Sequence, residues 1–255
     1  MIEGEPPGWA AFVAGDYNTA KLEGRNAQSA EGSAHACRAG LVLGGFIDKG
    51  PAAIHSLHGA IHDCNEALKL DPKHYFAKMS LAIALSFEGK RLKRPAYPKR
   101  AKLYIDELII QQPNNPLGYG ALAAWHSEVS AAGFFARIAL GARRKHAKAY
   151  FQKALRMGAV DFPLKFEYVK FLARGNKSDR QKAIIEGKKL IAEPIELALD
   201  KILKSHCANL VRALEINKKH ALKLALRESM AFNDLIPERD IARFPLEQLV
   251  PLASD

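Results

Sequence analysis

From Ala60 onward, apolar residues recur at Cys64, Ala67 and Leu68 before the chain meets Pro72. Positions four, seven and eight apart share one face of a helix. Pro72 cannot continue that helix, and it drives Asp71 out of helical geometry. The stretch "AIHDCNEALKLDPKHYFAK" therefore predicts a helix, a stop and a second helix. The same spacing returns at Ala101, Ile105, Leu108-Ile109 and Pro113, and again at Ala147, Phe151 and Ala154-Leu155. Ala183, Gly187 and Leu190-Ile191 give a further copy that ends near Pro194. Near the start, "AGDYNTAKLEGRNA" supplies Gly15-Asp16-Tyr17, Ala20, Gly24 and Ala27, with Gly32 as a stop.

Ala20, Ala60, Ala101, Ala147 and Ala183 anchor these copies, in steps of 40, 41, 46 and 36 residues. Each step holds two helical stretches, so the recurring unit is a helical hairpin. One such hairpin cannot bury its apolar side alone and has to stack on the next. About five units then cover residues 7–194. "IELALDKILKSHCANLVRALEI" and "KKHALKLALRESMAF" read as a capping pair over residues 195–232. The tail, 233–255, carries Pro237, Pro245 and Pro251 and reads as irregular, resting on the last helices through Phe244, Leu246 and Leu249.

Ala, Leu and Lys dominate the composition, and all three favour helix. A net charge of +11, from 38 Lys plus Arg against 27 Asp plus Glu, would attract polyanions without saying which. Cys37, Cys64 and Cys207 are odd in number, far apart and without a C-x-x-C pair. They are expected as separate core thiols in a reducing compartment. The opening "MIEGEPPGW" lacks the basic and apolar regions of an export signal. Runs such as "AGLVLGGFI" are about half the ~18 residues that a membrane span requires. A cytoplasmic chain is expected, or a periplasmic one if an export signal is missing.

Gly15-Asp16-Tyr17 followed three residues later by Ala20 resembles the turn between the two helices of a tetratricopeptide repeat. "Ala…Ala-Leu-x-Leu-Asp-Pro" at 60–72 resembles that repeat's second helix and its exit. The resemblance implies an all-α, right-handed α-solenoid of antiparallel hairpins whose first helices line a concave groove for peptide segments. The family period is roughly 34 residues. The extra length here falls mainly in "KRLKRPAYP" and "SEVSAAGFFARIALGARR", as longer helices or excursions. The groove positions this implies are His74, Lys78, Leu81, Tyr119, Leu122, Trp125 and His126, although Tyr119, Leu122 and Trp125, on one helical face, equally suit core packing. Some family members clamp the C-terminal carboxylate of heat-shock chaperones with Lys, Asn and Arg on first helices. Ala77, Leu81, Gly118 and Leu122 hold such positions here and cannot donate to a carboxylate, so chaperone tails are not expected as ligands.

Sites for chemistry are sparse. His55, His58 and His62 line one predicted helical face, yet no carboxylate or thiol is placed to complete a metal site. "WHSE" sets His126 and Glu128 two apart, pointing in different directions on a helix. "GLVLGGF" and "GNKSD" lack the spacing and context of phosphate loops. No catalytic residue, cofactor or metal is implied. Two basic clusters coincide with the longer segments. One is Lys90, Arg91, Lys93, Arg94, Lys99, Arg100 and Lys102, within 90–102; the other is Arg137, Arg143, Arg144, Lys145 and Lys148, within 137–148. The expected function is a non-catalytic scaffold or adaptor binding another protein or peptide segment. The alternative is nucleic acid or another polyanion held by the basic clusters.

Overall fold

The computed structural model describes residues 4–159, 161–237 and 240–252. Every regular element among them is helical, and no strand occurs. The helices are α1 (Trp9–Ala14), α2 (Tyr17–Asn26), α3 (Ala30–Val42), α4 (Gly50–Leu70), α5 (Tyr75–Leu92), α6 (Ala96–Gln111) and α7 (Pro116–Ala131). They continue as α8 (Phe134–Leu140), α9 (Arg144–Arg156), α10 (Phe162–Ala173), α11 (Lys177–Ala192), α12 (Ala198–Ile216) and α13 (Lys219–Glu228). A π-turn (Leu43–Ile47) extends α3, and a single 3₁₀ turn (Leu246–Gln248) interrupts the tail.

The turn chemistry explains where the helices break. Gly15 ends α1 at φ +91°, a conformation that costs other residues a Cβ clash. Asp16 then caps α2, its Oδ1 accepting from the Thr19 N–H at 3.1 Å. At the Asp-Pro seam Asp71 turns extended, and its Oδ1 accepts from the Lys73 N–H at 2.9 Å. His74 opens α5, with Nδ1 accepting from the Ala77 N–H at 3.2 Å.

Consecutive helices pack as pairs: α1 with α2, α3 with α4, α5 with α6, α7 with α9, α10 with α11, and α12 with α13. The anchor alanines fall on the second helix of the first five pairs, and all five side chains are fully buried. Their smallness matters where helices cross: a Cβ added at Gly40 of α3 would lie 3.2 Å from the Ala60 Cβ of α4. First helices also touch in order, α3 with α5, α5 with α7, α7 with α10 and α10 with α12. α1 touches α12 as well.

Two apolar clusters result. One joins α3 to α7 and includes Leu57, Leu81, Tyr97, Tyr104 and Trp125. The other runs from Phe12 and Tyr17 across Phe151, Phe166 and Phe171 to Leu203 and Leu210. Both longer segments have a structural account. "KRLKRPAYP" holds the last turn of α5, which stops at Lys93 (φ +53°), and the start of α6. "SEVSAAGFFARIALGARR" ends α7 and adds α8 as an excursion before α9.

Two expectations are corrected here. Cys37 of α3 and Cys64 of α4 are joined in a disulfide, with Cα atoms 5.2 Å apart. Their 27-residue separation hides the fact that both face the same helix–helix seam. Cys207 is a free thiol, and burial pushes it up to about 12. The tail does not rest on the last helices. Phe244, Leu249 and Leu252 are buried in the cluster that joins α3 to α7.

Candidate functional site

The seven expected groove residues lie inside the body, which corrects their reading as a peptide-facing surface. His74 is a helix cap whose Nε2 lies 2.9 Å from Glu31 Oε2. Lys78 is buried and donates to Glu107 Oε2 at 2.7 Å. Leu81 and Leu122 are core residues. Trp125 donates through Nε1 to the Pro98 carbonyl at 2.9 Å. Tyr119 stacks on Tyr150, with the Lys153 ammonium 3.7 Å from the Tyr119 ring centroid. His126 stacks between neighbours, parallel to Tyr150 and edge-on to Trp125 and His146. Burial, then the nearby His146 and Lys102, holds its imidazole down at about 4, so it is neutral near pH 7.

An extended segment of the chain itself is held on another face of the body. Residues 240–252, "DIARFPLEQLVPL", cross α4, α5 and α6. Glu88 Oε1 accepts from the Phe244 N–H at 3.0 Å, and Tyr97 Oη donates to the Phe244 carbonyl at 2.7 Å. Arg91 donates to the carbonyls of Ile241 (2.9 Å) and Ala242 (3.2 Å). Asn65 Nδ2 donates to the Gln248 carbonyl at 2.9 Å, and its Oδ1 accepts from the Val250 N–H at 2.7 Å. Tyr104 Oη and Arg100 donate to the Val250 carbonyl, at 3.1 and 3.3 Å. Side chains of the body thus read the main chain of the segment, while Phe244, Leu249 and Leu252 sink into apolar sockets.

Glu88 is the centre of this clamp. Its side chain is fully buried and also accepts from Arg91, at 2.6 and 2.9 Å, with His58 Nε2 3.0 Å away. Burial alone raises such a carboxyl. The hydrogen bonds from Arg91, His58 and the Phe244 N–H outweigh it and hold Glu88 at about 2.

The two basic clusters have different fates. In 90–102, Arg91 is buried under the tail, Arg100 reaches Val250, and Lys102 pairs with Asp106 at 2.6 Å. Lys90, Lys93, Arg94 and Lys99 are exposed. Lys90 and Lys93 line a depression of about 330 Å³ together with Phe232 and Leu235. In 137–148, Arg144 pairs with Asp179 at 3.1 Å, and Lys148 lies 3.8 Å from the same carboxylate. Arg137, Arg143 and Lys145 are exposed. Among the described residues, Arg143 and Lys145 form no ion pair.

A third polar group sits where α1, α2 and α3 meet α10 and α12. The Arg38 guanidinium lies 4.5 Å from the centroid of the Phe12 ring. Tyr17 Oη, Asp161 Oδ1 and Asp200 Oδ1 are buried without a hydrogen-bond partner among the described residues. Burial raises both carboxyls despite the field of Arg38. The group joins the two ends of the helix series, since Arg38 of α3 acts on Asp161 before α10 and on Asp200 of α12. His126 and Glu128 diverge as expected, with Glu128 bound to Arg174 at 2.6 Å.

Sequence reasoning missed Asn65, Glu88, Tyr97 and Tyr104. Two signals were available: a Glu-x-x-Arg pair, Glu88 and Arg91, facing an apolar side, and the proline-spaced apolar run "FPLEQLVPL", which suits an extended ligand. No helix among the described residues is long and apolar enough to cross a membrane. Comparison with protein-family models, curated proteins and solved structures gives no match to this chain.

Proposed function

We propose that the chain is a non-catalytic scaffold that binds extended protein segments, built as a divergent, right-handed tetratricopeptide-like solenoid of five hairpins with α12 and α13 as its cap. The buried anchor alanines and the ordered contacts between first helices support the architecture. One observation carries the function: the body already holds residues 240–252 through side chains aimed at their backbone. Main-chain recognition is tolerant of sequence, with apolar sockets supplying selectivity. The binding surface is therefore the α4–α6 face rather than the seven interior positions, and its own tail competes with any partner.

The test is a fluorescent peptide of residues 240–252 titrated against the full chain and against Phe244→Ala/Leu249→Ala. Weakening the tethered segment removes a competitor at high effective concentration, so the variant binds the free peptide about tenfold more tightly or better. If neither folded protein binds the peptide, the reading fails.

Nucleic acid or another polyanion is the second reading, favoured by the exposed Arg137, Arg143 and Lys145. Filter binding at two salt concentrations decides it, since phosphate contacts weaken steeply with salt. We also infer an oxidising compartment, such as the periplasm, in place of the cytoplasm. The support is Cys37–Cys64, because disulfides persist where glutathione does not reduce them.

A further inference from the structure

α8 turns only Leu140 toward the core, where it packs partly buried on the α3–α7 cluster. Phe134, Phe135 and Ile138 are 60%, 86% and 64% exposed, and no residue of the helix is buried. These side chains lie at i, i+1 and i+4, so they share one side of the helix. α8 packs chiefly on α7 and stands out from the paired helices as an excursion between α7 and α9. Three large apolar side chains are thus largely exposed, touching mainly one another and the Arg137 guanidinium among the described residues.

The charge along this stretch of sequence is one-sided, with Asp179 of α11 the carboxylate that reaches Arg144 and Lys148. Between Glu128 and Asp161 the sequence has no acidic residue, but it has Arg137, Arg143, Arg144, Lys145, Lys148, Lys153 and Arg156. Arg137 lies 5.4 Å from the centroid of the Phe134 ring. A depression of about 410 Å³ opens beside Ile138, lined by Arg137, Arg143, Arg144 and Lys145. Apolar side chains project next to a cationic recess.

We propose that α8 and the adjoining loop dock on an anionic membrane surface. Phe134, Phe135 and Ile138 enter the boundary between headgroups and acyl chains, and the recess takes a lipid phosphate. Short amphipathic segments bind interfaces in this way, by apolar burial plus attraction to anionic lipid. Two features favour lipid over nucleic acid. The Phe134 and Phe135 rings pack edge to face at 79°, rather than presenting parallel platforms for bases. Ile138 adds hydrocarbon that a base cannot stack on. This inference is independent of the α4–α6 peptide clamp and stands if that reading fails.

Vesicle sedimentation of the full chain tests it. The wild type should pellet with phosphatidylcholine–phosphatidylserine vesicles, and not with phosphatidylcholine alone. Phe134→Ser/Phe135→Ser changes only exposed positions, and it should lower the vesicle affinity by about tenfold or more with an unchanged thermal melt. Arg143→Glu/Lys145→Glu should do the same through charge. The proposal is overturned by a failure to pellet with anionic vesicles, by equal pelleting with neutral ones, or by unchanged binding of the Phe variant. It is equally overturned if the Phe variant loses self-association or RNA binding while the wild type ignores vesicles.

Discussion

The Phe244 N–H donates to Glu88 Oε1 at 3.0 Å, across a sequence separation of 156 residues. That bond ties an irregular tail to a carboxylate on which Arg91 and His58 also converge. Removing the carboxylate leaves the buried Arg91 charge without its counter-ion, with only the Ile241 and Ala242 carbonyls to accept from it. Glu88→Ala should destabilise the fold by about 3 kcal/mol or more, as expected when one partner of a buried pair is lost. Urea denaturation reads the loss. Trypsin should also cut after Arg243 sooner than in the wild type, because the tail loses its central clamp.

Acid should act on two of these groups in the same direction. Glu88 is held at about 2 in the fold against an ordinary value near 4.5, so its contribution is present above pH ~4.5 and is lost as pH falls toward 2. His126 is held at about 4 against 6.5, so the unfolded chain takes up a proton first and stability drops between pH ~6.5 and ~4. Asp161 and Asp200, raised in the fold, work in the opposite sense. Comparing variants separates them: His126→Phe should lose less stability than the wild type between pH 7 and pH 5, measured by thermal melts across that range.

The α3–α4 disulfide closes a loop between residues 27 apart. Chain-entropy arguments give such a link about 3.5 kcal/mol. Cys37→Ser/Cys64→Ser should lower the melting temperature, and dithiothreitol should lower that of the wild type but not that of the variant. Intact mass of the unreduced protein, after blocking free thiols, should show one thiol alkylated rather than three.

Ala60 sits against Gly40 with no accessible surface. Ala60→Leu should cost about 1–3 kcal/mol through overpacking, without altering the denaturant slope. A neutral effect would mean that α3 and α4 do not approach as closely as this.

Much of the helical layout could be read from the sequence because its signals are local. Pro72, Gly15 and the four-residue apolar spacing act within a turn or two, and the anchor alanines are buried where the helix faces require. The partner of each buried group was not legible. Cys37 with Cys64 and Glu88 with Phe244 depend on which faces meet, and that follows from packing rather than from spacing. Exposure misled for the same reason. His74, Lys78 and Trp125 look like surface ligands in sequence, but their polar atoms are satisfied by a helix N-terminus, Glu107 and the Pro98 carbonyl. α8 was visible only as surplus length.

A row of hairpins that touch only their neighbours can melt from either end while the middle persists. Here residues 240–252 return to α4, α5 and α6, and α1 touches α12. Fraying at one terminus therefore strips contacts from distant pairs as well. Hydrogen exchange should show the first and last helices opening together with the centre, in a single cooperative step, and a cut in the tail should split that step into several.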